Sequence, residues 1–202
     1  MNEGPWYPEA KHVIDFAKVN RLHLVLDVGS GFGDVTAEAL ERGADVISLD
    51  FSVKYLGHLA KLKKANPVLA EATLMPFRDS VFDRVISKAV WHNITERDAR
   101  TRFVLEMSRV SKKGGLIVLS QVWNRLYGYL NPKRLLLKRP RDDSFHHYFL
   151  PSEVNSVFRL ATLRIVNVQA SKMPYRNSLP LINRFMSPWF SSLYLDIAAS
   201  RL

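Results

Sequence analysis

Cysteine is absent from the 202 residues of this chain. Its absence excludes a disulfide scaffold, zinc or iron–sulfur sites ligated by cysteine, and any mechanism that uses a thiolate nucleophile. Long apolar runs are missing too, since no uncharged stretch approaches the roughly 18 residues that a membrane-spanning helix needs. The stretch from Met1 to Tyr7 lacks the basic and apolar parts of a secretory signal, so we expect a cytoplasmic protein.

Acidic residues are scarce in the second part of the chain. Residues 121–202 hold 12 lysines and arginines against 4 acidic residues, whereas residues 1–120 hold 17 against 15. The net charge of +10 therefore lies mostly in the second part, which favours an anionic partner there or simply a basic, solvated face. The overall composition, 47% hydrophobic and 24% charged residues, is that of an ordinary globular protein. At this length we expect one domain over residues 1–202.

Apolar strands alternate with amphipathic helices through most of the sequence. This alternation predicts the α/β class, with a doubly wound, mostly parallel sheet covered by helices on both faces. The predicted strands cover residues 22–28, 45–50, 67–71, 82–88, 116–121, 162–168 and 193–199. The predicted helices cover residues 8–20, 34–42, 52–64, 96–110 and 151–160.

Local signals refine these elements. We expect Ser52 to cap the third helix, and Thr95 with Asp98 to form a capping box for the fourth. Leu105 is expected on the inner face of that fourth helix. Residues 122–141, which mix aromatic and basic side chains, are expected to lie outside the sheet.

A glycine-rich turn follows the first predicted strand, where the sequence reads Asp27-Val28-Gly29-Ser30-Gly31-Phe32-Gly33. Glycines let a backbone approach a ligand closely and adopt positive φ. A dinucleotide fingerprint would have its third glycine at position 34, where Asp34 would repel a pyrophosphate, and no Gly-Lys-Ser/Thr of a P-loop follows. Asp50 ends the second strand, where a carboxylate can accept both hydroxyls of a ribose. The pattern predicts a nucleoside ligand that presents no phosphates to the turn.

With these residues the sequence resembles the class I S-adenosylmethionine-dependent methyltransferases, in the branch with Leu-Pro-Phe and Ser-Phe-Asp segments. The similar segments are residues 26–33 for the first motif, Asp50 for the ribose acid, Glu71-Ala72 with residues 74–77 for the Leu-Pro-Phe segment, residues 80–83 for Ser-Phe-Asp with one residue inserted, and residues 106–120 for the helix and Gly-Gly turn before the fifth strand. The resemblance covers nearly the whole chain, and it depends on five segments that follow in the family's order.

The resemblance implies a seven-stranded sheet with an antiparallel last strand, and S-adenosylmethionine bound at the carboxyl ends of the first strands. It also implies a cofactor-binding half over residues 1–121 and a substrate-selecting half over residues 122–202. The implied cofactor-binding residues are Asp27, Gly29 and Gly31 at the methionine moiety with Ser30 between them, Asp50 at the ribose with Phe51 after it, Glu71 and Ala72 at the adenine, and Lys88 and Ala89 beside the sulfonium. Asp83 opens a strand rather than ending one, so we expect a structural role for it.

Few side chains are candidates for acid–base chemistry. The methyl group on a sulfonium is electrophilic, so catalysis needs an aligned nucleophile in a dry pocket, and a base if the acceptor carries a proton. His92 follows the fourth strand and is the first candidate, either as general base or for orienting the acceptor. His147, next to His146 and Tyr148, is a weaker candidate. Two adjacent histidines without a third ligand nearby do not predict a metal site.

The acceptor is predicted only by class. No Asn/Asp-Pro-Pro-Tyr/Phe follows the fourth strand, so the usual grip on an exocyclic base amine is absent. We favour an oxygen or nitrogen of a small or lipid-like molecule, because the apolar residues 179–190 suit such an acceptor. RNA is the alternative, since aromatic residues are interleaved with the basic residues Lys133, Arg134, Lys138, Arg139 and Arg141. A cofactor-binding module without activity is the third possibility.

Overall fold

A computed structural model of the chain describes residues 10–62, 64–125, 146–171 and 194–202. Within these ranges the helices are α1 (Ala10–Phe16), α2 (Asp34–Glu41), α3 (Val53–Leu59), α4 (Arg97–Val110) and α5 (Pro151–Leu160), with a short 3-10 helix at Trp91–Asn93. The strands are β1 (Leu24–Val28), β2 (Asp45–Asp50), β3 (Ala65–Leu69), β4 (Phe82–Lys88), β5 (Ser111–Trp123), β6 (Leu163–Ala170) and β7 (Tyr194–Arg201). Among the described helices, none combines the length and the apolar character needed to traverse a lipid bilayer.

The strands form one seven-stranded mixed sheet in the order β3-β2-β1-β4-β5-β7-β6. Neighbours from β3 to β5 pair in parallel, and β7 pairs antiparallel with both β5 and β6. The predicted α/β class and the antiparallel last strand are thereby confirmed. The strand order reverses at β1, which lies between β2 and β4. In open α/β sheets, ligands bind outside the carboxyl ends of the strands at such a reversal.

Helices cover both faces of the sheet. Phe103 of α4 and Phe158 of α5 belong to one buried cluster, and Val35 of α2 belongs to the other. Successive side chains of a strand point to opposite faces, so that Leu26 of β1 joins the first cluster and Val25 joins the second. Burial on both faces explains why the inner strands read as continuous apolar runs. It also leaves the loops at the strand ends as the surface that can bind a ligand.

The capping predictions for the helices were partly wrong. Ser52 does precede α3 as its N-cap, but its side chain makes no capping hydrogen bond. The N-cap of α4 is Glu96 rather than Thr95, and no side chain caps that helix either. Thr95 lies one residue too early, and its backbone carbonyl accepts a hydrogen bond from Arg100 Nη1 at 2.7 Å. The expected box of Thr95 and Asp98 is therefore absent.

Two further expectations were corrected by tertiary packing. Leu105 is 38% exposed, whereas its neighbours Val104 and Met107 in α4 are fully buried, because one residue step rotates the side chain by about 100° around the helix. Val122 and Trp123 were expected outside the sheet but extend β5, where they pair with β7. The partner strand thus lengthens β5 beyond its own apolar run.

Predicted and observed ends differ most for α1, α3 and β5. β5 begins at Ser111 instead of residue 116, because residues on both sides of the Gly-Gly turn pair with β4. α1 ends at Phe16 instead of residue 20, α3 ends at Leu59 instead of residue 64, and β3 begins two residues early. The register of the edge strand β3 is fixed by its pairing with β2, from Ala65 opposite Val46 to Leu69 opposite Asp50. The bounds of β4 and α5, by contrast, are those predicted.

Asp83 has the structural role that its position predicts. At the amino end of β4 its carboxylate accepts from the Leu24 N–H at 2.9 Å and from Lys112 Nζ at 2.8 Å. These bonds join β4 to the starts of β1 and β5. The Gly-Gly turn lies inside β5, where Gly114 has a φ of 72° close to a shift in the pairing with β4. Asp83 and the Gly-Gly turn both lie at the sheet edge opposite to the carboxyl ends of β1, β2 and β4.

Candidate functional site

The glycine turn after β1 has the positive φ angles that its sequence predicts, 71° at Gly29 and 53° at Gly31. The N–H groups of Gly29 and Ser30 donate to the Leu49 carbonyl at 2.8 and 3.0 Å, which fastens the turn to β2. A Cβ atom at Gly29 would collide with Val90, so this position must stay without a side chain. A Cβ at Gly31 would have no neighbour within 4 Å. The backbone at Gly31 therefore faces open space that a ligand can occupy.

Asp50, at the end of β2, is oriented by two backbone donors. Its Oδ2 accepts from the Gly31 N–H and its Oδ1 from the Ser52 N–H, both at 2.9 Å. The side chain is almost buried, with 4% of the residue exposed. A carboxylate has about four acceptor positions, so both oxygens can accept further hydrogen bonds, as from a pair of ribose hydroxyls. Phe51, the next residue, is 70% exposed and offers an apolar face beside Asp50.

Asp27 lies at the end of β1 with 1% of its surface exposed. Its Oδ2 accepts from the Thr36 hydroxyl of α2 at 2.7 Å, and that hydroxyl is also 2.7 Å from Ser48 Oγ of β2. Burial raises the pKa of Asp27 to about 7, although the bond from Thr36 opposes the shift. A carboxyl that titrates near neutrality thus lies beneath the glycine turn.

Lys88, at the end of β4, forms an ion pair with Asp34, the first residue of α2. The side chain of Lys88 is 10% exposed and that of Asp34 is 49% exposed. The pair links the end of β4 to the start of the helix that follows the glycine turn. Ala89 comes next, with a φ of 61°, and its N–H donates to the Ser120 carbonyl at 3.1 Å. Both predicted sulfonium-side residues therefore lie at the carboxyl edge of the sheet, beside β1 and β5.

Glu71 and Ala72, predicted at the adenine, follow β3 at the same edge. The Ala70 N–H donates to the Asp50 carbonyl at 3.1 Å, which brings this segment next to the predicted ribose site. The Leu74 N–H donates to the Glu71 carbonyl at 3.0 Å and closes a turn there. The structure thus brings together the ends of β1, β2, β3 and β4, with every predicted cofactor residue on them.

Sequence reasoning missed two residues of α4 that support this segment. Arg109 donates to the carbonyls of Met75 and Phe77 at 3.0 and 2.7 Å, and to Asp79 at 2.8 Å. Glu106 accepts from Arg109 at 2.7 Å and from the Met75 N–H at 2.6 Å. Opposite charges three residues apart on one helix were a visible signal. The backbone groups that they bind lie some 30 residues away in the sequence and gave no signal of this contact.

His92 lies in the 3-10 helix after β4 and is 4% exposed. Burial, with a smaller contribution from His146, lowers the pKa of His92 to about 3, while a hydrogen bond to the backbone of Gln121 opposes the shift. A bond that raises the pKa of a histidine is one in which the ring N–H donates, here to the Gln121 carbonyl. His92 is therefore neutral near pH 7, with its second ring nitrogen as an acceptor.

Four rings, those of His92, Trp123, His146 and Tyr148, form a cluster that we call the aromatic wall. The centroid of Trp123 is 5.2 Å from that of His92, 4.4 Å from His146 in a stacked arrangement, and 5.0 Å from Tyr148. The wall lies beyond the ends of β4 and β5, because His92 follows β4 and Trp123 ends β5. This side of the molecule can offer a flat surface to a ring.

His147 is tied both to His92 and to α5. Its N–H donates to the His92 carbonyl at 2.7 Å, and its Nε2 lies 2.8 and 3.0 Å from the two carboxylate oxygens of Glu153. Although burial opposes it, the bond with His147 lowers the pKa of Glu153. Both residues line a cleft of about 440 Å³ between the starts of α4 and α5, together with Trp91 and Arg100. The two predicted catalytic histidines are thus neighbours in space.

The residues predicted to select the acceptor lie outside the described part of the chain. These are the basic residues Lys133, Arg134, Lys138, Arg139 and Arg141 and the apolar residues 179–190. Their expected contacts with RNA or with a lipid-like acceptor stay predictions.

Residues 26–119 match the family described as Methyltransferase domain. The chain is also similar to the demethylmenaquinone methyltransferase of Renibacterium salmoninarum, with 34% identity over 108 residues. That match covers 52% of this chain and 43% of the relative. The chain spans about half the length of the curated relatives it matches.

Solved structures share the fold at low sequence identity. A SAM-dependent methyltransferase from Methanosarcina mazei superposes with a TM-score of 0.68 at 19% identity, covering 89% of this chain and 92% of that one. The 1,6-didemethyltoxoflavin-N1-methyltransferase of Burkholderia thailandensis, solved with 1,6-didemethyltoxoflavin and S-adenosylhomocysteine, gives 0.67 at 16% identity, covering 99% and 79%.

The matched segment runs from β1 into β5, and so it contains the glycine turn, Asp50 and the strand ends that surround them. These features lie at the reversal of the strand order, where open α/β sheets bind ligands. Residues 26–119 of this chain therefore match a methyltransferase domain, and the chain has the fold of S-adenosylmethionine-dependent methyltransferases.

Proposed function

We propose that this chain transfers the methyl group of S-adenosylmethionine to a small or lipid-like molecule whose flat ring lies against the aromatic wall. The observation that carries this proposal is the wall itself, because rings prefer stacked or edge-to-face neighbours at the distances found there. A relative named demethylmenaquinone methyltransferase supports the choice of a lipid-like acceptor. The oxygen or nitrogen nucleophile stays a prediction from the sequence.

In this proposal the cofactor lies across the ends of β1, β2 and β4. Asp50 accepts the ribose hydroxyls, since its oxygens are already held in place by two backbone N–H groups. Gly31 lets the methionine moiety approach its backbone. Phe51 covers one side of the adenine, which would remove an exposed apolar ring from water. Glu71 and Ala72 contact the adenine from the end of β3.

His92 is assigned the role of orienting the acceptor. A pKa of about 3 makes its imidazole a poor base at neutral pH. With one ring N–H bound to Gln121, the remaining nitrogen can accept a hydrogen bond from an O–H or N–H of the acceptor. His147, whose Nε2 lies 2.8 Å from the Glu153 carboxylate, is assigned the role of taking the acceptor's proton on its other ring nitrogen.

The chemical step follows from the cofactor's own reactivity. The sulfonium methyl is electrophilic, so the chain has to align the nucleophile with it and keep water out. The nucleophile forms a bond to the methyl carbon while the bond from sulfur to that carbon breaks and its electron pair returns to sulfur. S-adenosylhomocysteine and the methylated acceptor are the products.

A direct test offers the purified protein S-adenosylmethionine together with either a reduced, short-tailed demethylnaphthoquinone or bulk tRNA. Mass spectrometry then detects the added methyl group, and NMR of the product locates the methylated atom. We expect methylation of the quinol and none of tRNA, and we expect Asp50→Ala to need about tenfold to a hundredfold more S-adenosylmethionine for the same rate. Methylation of tRNA alone would support the RNA alternative. Tight cofactor binding without transfer to any ring compound of a quinol and phenol panel would support the non-catalytic module.

A further inference from the structure

A carboxylate far from the glycine turn is buried in the middle of the last strand. Asp196 of β7 has 0% of its surface exposed. Its hydrogen-bond donors come from three other parts of the fold. Two are on β5, Ser120 Oγ at 2.7 Å and the Gln121 N–H at 3.2 Å, and one follows β6, Ser171 Oγ at 2.6 Å. His12 of α1 adds its Nε2 at 3.2 Å. Of these residues, Ser120 alone contacts the cofactor site described above, through its carbonyl, which accepts from the Ala89 N–H at 3.1 Å.

A buried, charged cluster of this kind is an unusual way to stabilise a fold. Burying a charged group costs free energy, and a well-packed apolar side chain in the same place is often at least as favourable. Here, although burial opposes it, the hydrogen bonds lower the pKa of Asp196, so the carboxylate is ionised inside the protein. An ionised carboxylate at this depth indicates that the backbone around it has to be held in one conformation.

The backbone feature that Asp196 holds is a kink near the end of β5. Gln121 has a φ of 60°, a conformation that a residue with a side chain adopts only under constraint. The pairing of β5 with β7 shifts register here, between Leu119 and Val122. The Gln121 N–H donates to Asp196 rather than to a strand neighbour. Asp196 therefore supplies the hydrogen bond that the kink removes from the sheet.

The kink lies next to the residues proposed to contact the methyl acceptor, at the ends of β4 and β5, which we call the acceptor side. Gln121 offers its carbonyl to the ring of His92, while its N–H is held by Asp196. Ser120 is held by Asp196 through its hydroxyl, and its carbonyl accepts from the Ala89 N–H. Ala89 shows the same constraint, with a φ of 61°. One carboxylate thus reaches the ends of both β4 and β5 through two adjacent residues.

We infer that Asp196 is a positioning residue for methyl transfer, which holds the Gln121 kink so that the His92 ring keeps one orientation and one tautomer toward the acceptor. The inference rests on the proposed function, in which His92 orients the acceptor. It adds a residue of the last strand, in the substrate-selecting half, to the machinery of the acceptor side. The cofactor side, at β1 and β2, has no contact with this cluster among the hydrogen bonds described for it.

The test compares the wild type with Asp196→Asn, which keeps the shape but places an amide N–H₂ among groups that all need an acceptor. Side-chain ¹H–¹⁵N NMR reports the tautomer of His92, and His92→Gln identifies its signal among the six histidines. We expect one tautomer in the wild type and a mixture of two in Asp196→Asn. Cofactor affinity should stay within about twofold, while kcat should fall roughly tenfold to a hundredfold, as when a partner that orients a histidine is lost.

Asp83→Asn is the matched control. Asp83 also accepts a backbone N–H and a side-chain donor, but at the opposite edge of the sheet, so His92 should keep one tautomer and kcat should not change. If Asp196→Asn does not fold, Ser120→Ala and Ser171→Ala each remove one donor, and Ser120→Ala should disturb His92 more because Ser120 is next to Gln121.

The outcomes separate this inference from the proposed function. A single, unchanged His92 tautomer in folded Asp196→Asn overturns the inference. So does a loss of cofactor affinity as large as the loss of kcat, since the cluster would then support the whole site. Mixed tautomers with unchanged transfer to the quinol would leave Asp196 holding His92 and would contradict the role of His92 in the proposed function.

Discussion

Asp27 couples the stability of the fold to pH. Burial raises its pKa from 3.8 to about 7, so the folded protein keeps a proton that the unfolded chain has already lost. The free energy of unfolding should decrease as the pH rises from about 4 to 7, and it should change no further above pH 7. The upper limit of this loss is about 4 kcal/mol, at about 1.4 kcal/mol per pH unit.

Asp27→Asn should remove this dependence, because an amide does not ionise. We expect the variant to be more stable than the wild type at pH 8 and close to it at pH 4, as measured by urea unfolding at both values. Thr36 can still donate to the amide oxygen, so packing should be kept. An equal slope with pH in both proteins would show that another group is responsible.

Asp50 is the residue on which cofactor binding depends most. We expect the wild type to bind S-adenosylmethionine with low-micromolar affinity, about −8 kcal/mol. Asp50→Ala should weaken binding by about tenfold to a hundredfold, because charged hydrogen bonds to the ribose are lost. Calorimetry measures both values. Asp45→Ala, at the exposed start of the same strand, is the control and should bind like the wild type; unchanged affinity in Asp50→Ala would contradict the assignment.

We expect His92 to affect turnover and not the affinity for the cofactor. We expect His92→Ala to lower kcat by roughly tenfold, less than the 10²–10⁴ lost with a general base, and to leave the cofactor Kd nearly unchanged. The kcat profile between pH 5 and 8 should keep its shape, because His92 is neutral throughout this range. Activity within a factor of two of the wild type would make His92 part of the scaffold and leave His147 as the candidate.

At the scale of elements, α4 holds the segment that follows β3. Arg109 joins that helix to three positions between Met75 and Asp79. Arg109→Met should lower the unfolding free energy by about 1–3 kcal/mol, since partly buried carbonyls lose their donor. It should also weaken cofactor binding, because the adenine-side segment loses its support. Arg102→Met, exposed on the same helix, is the control for Tm and Kd, and equal effects of both variants would count against this role.

Elements whose local signals agree with their tertiary contacts could be predicted from the sequence. β4 and α5 have the predicted bounds, because their apolar runs are delimited by turn residues and by Pro151. The glycine turn and Asp50 were found for the same reason, since backbone geometry dictates those residue types locally. The ring contacts of His92 and the donors of Asp196 join residues far apart in sequence, and no local pattern encodes them.

At the scale of the whole molecule, the charge of residues 121–202 distinguishes the two acceptor classes. Binding to single-stranded RNA would weaken with salt at a slope near −0.7 per phosphate contacted. The replacement of Lys138, Arg139 and Arg141 by Ala would then flatten the slope by about 2. Because we favour a small or lipid-like acceptor, we expect little tRNA affinity and no effect of the triple variant. Titration of bulk tRNA at two salt concentrations measures both.

The position of β7 between β5 and β6 sets an order for assembly on the ribosome. β1 to β5 can pair as they emerge, because each finds its parallel neighbour among strands already made. β6 is synthesised before β7 but, among the strands that the structure describes, pairs with β7 alone, so it must wait without a partner. Non-local pairing of this kind is slow and exposes strand edges. The nascent chain is therefore most vulnerable to aggregation in the interval between β6 and β7, and a chaperone that binds exposed strands would be needed there most.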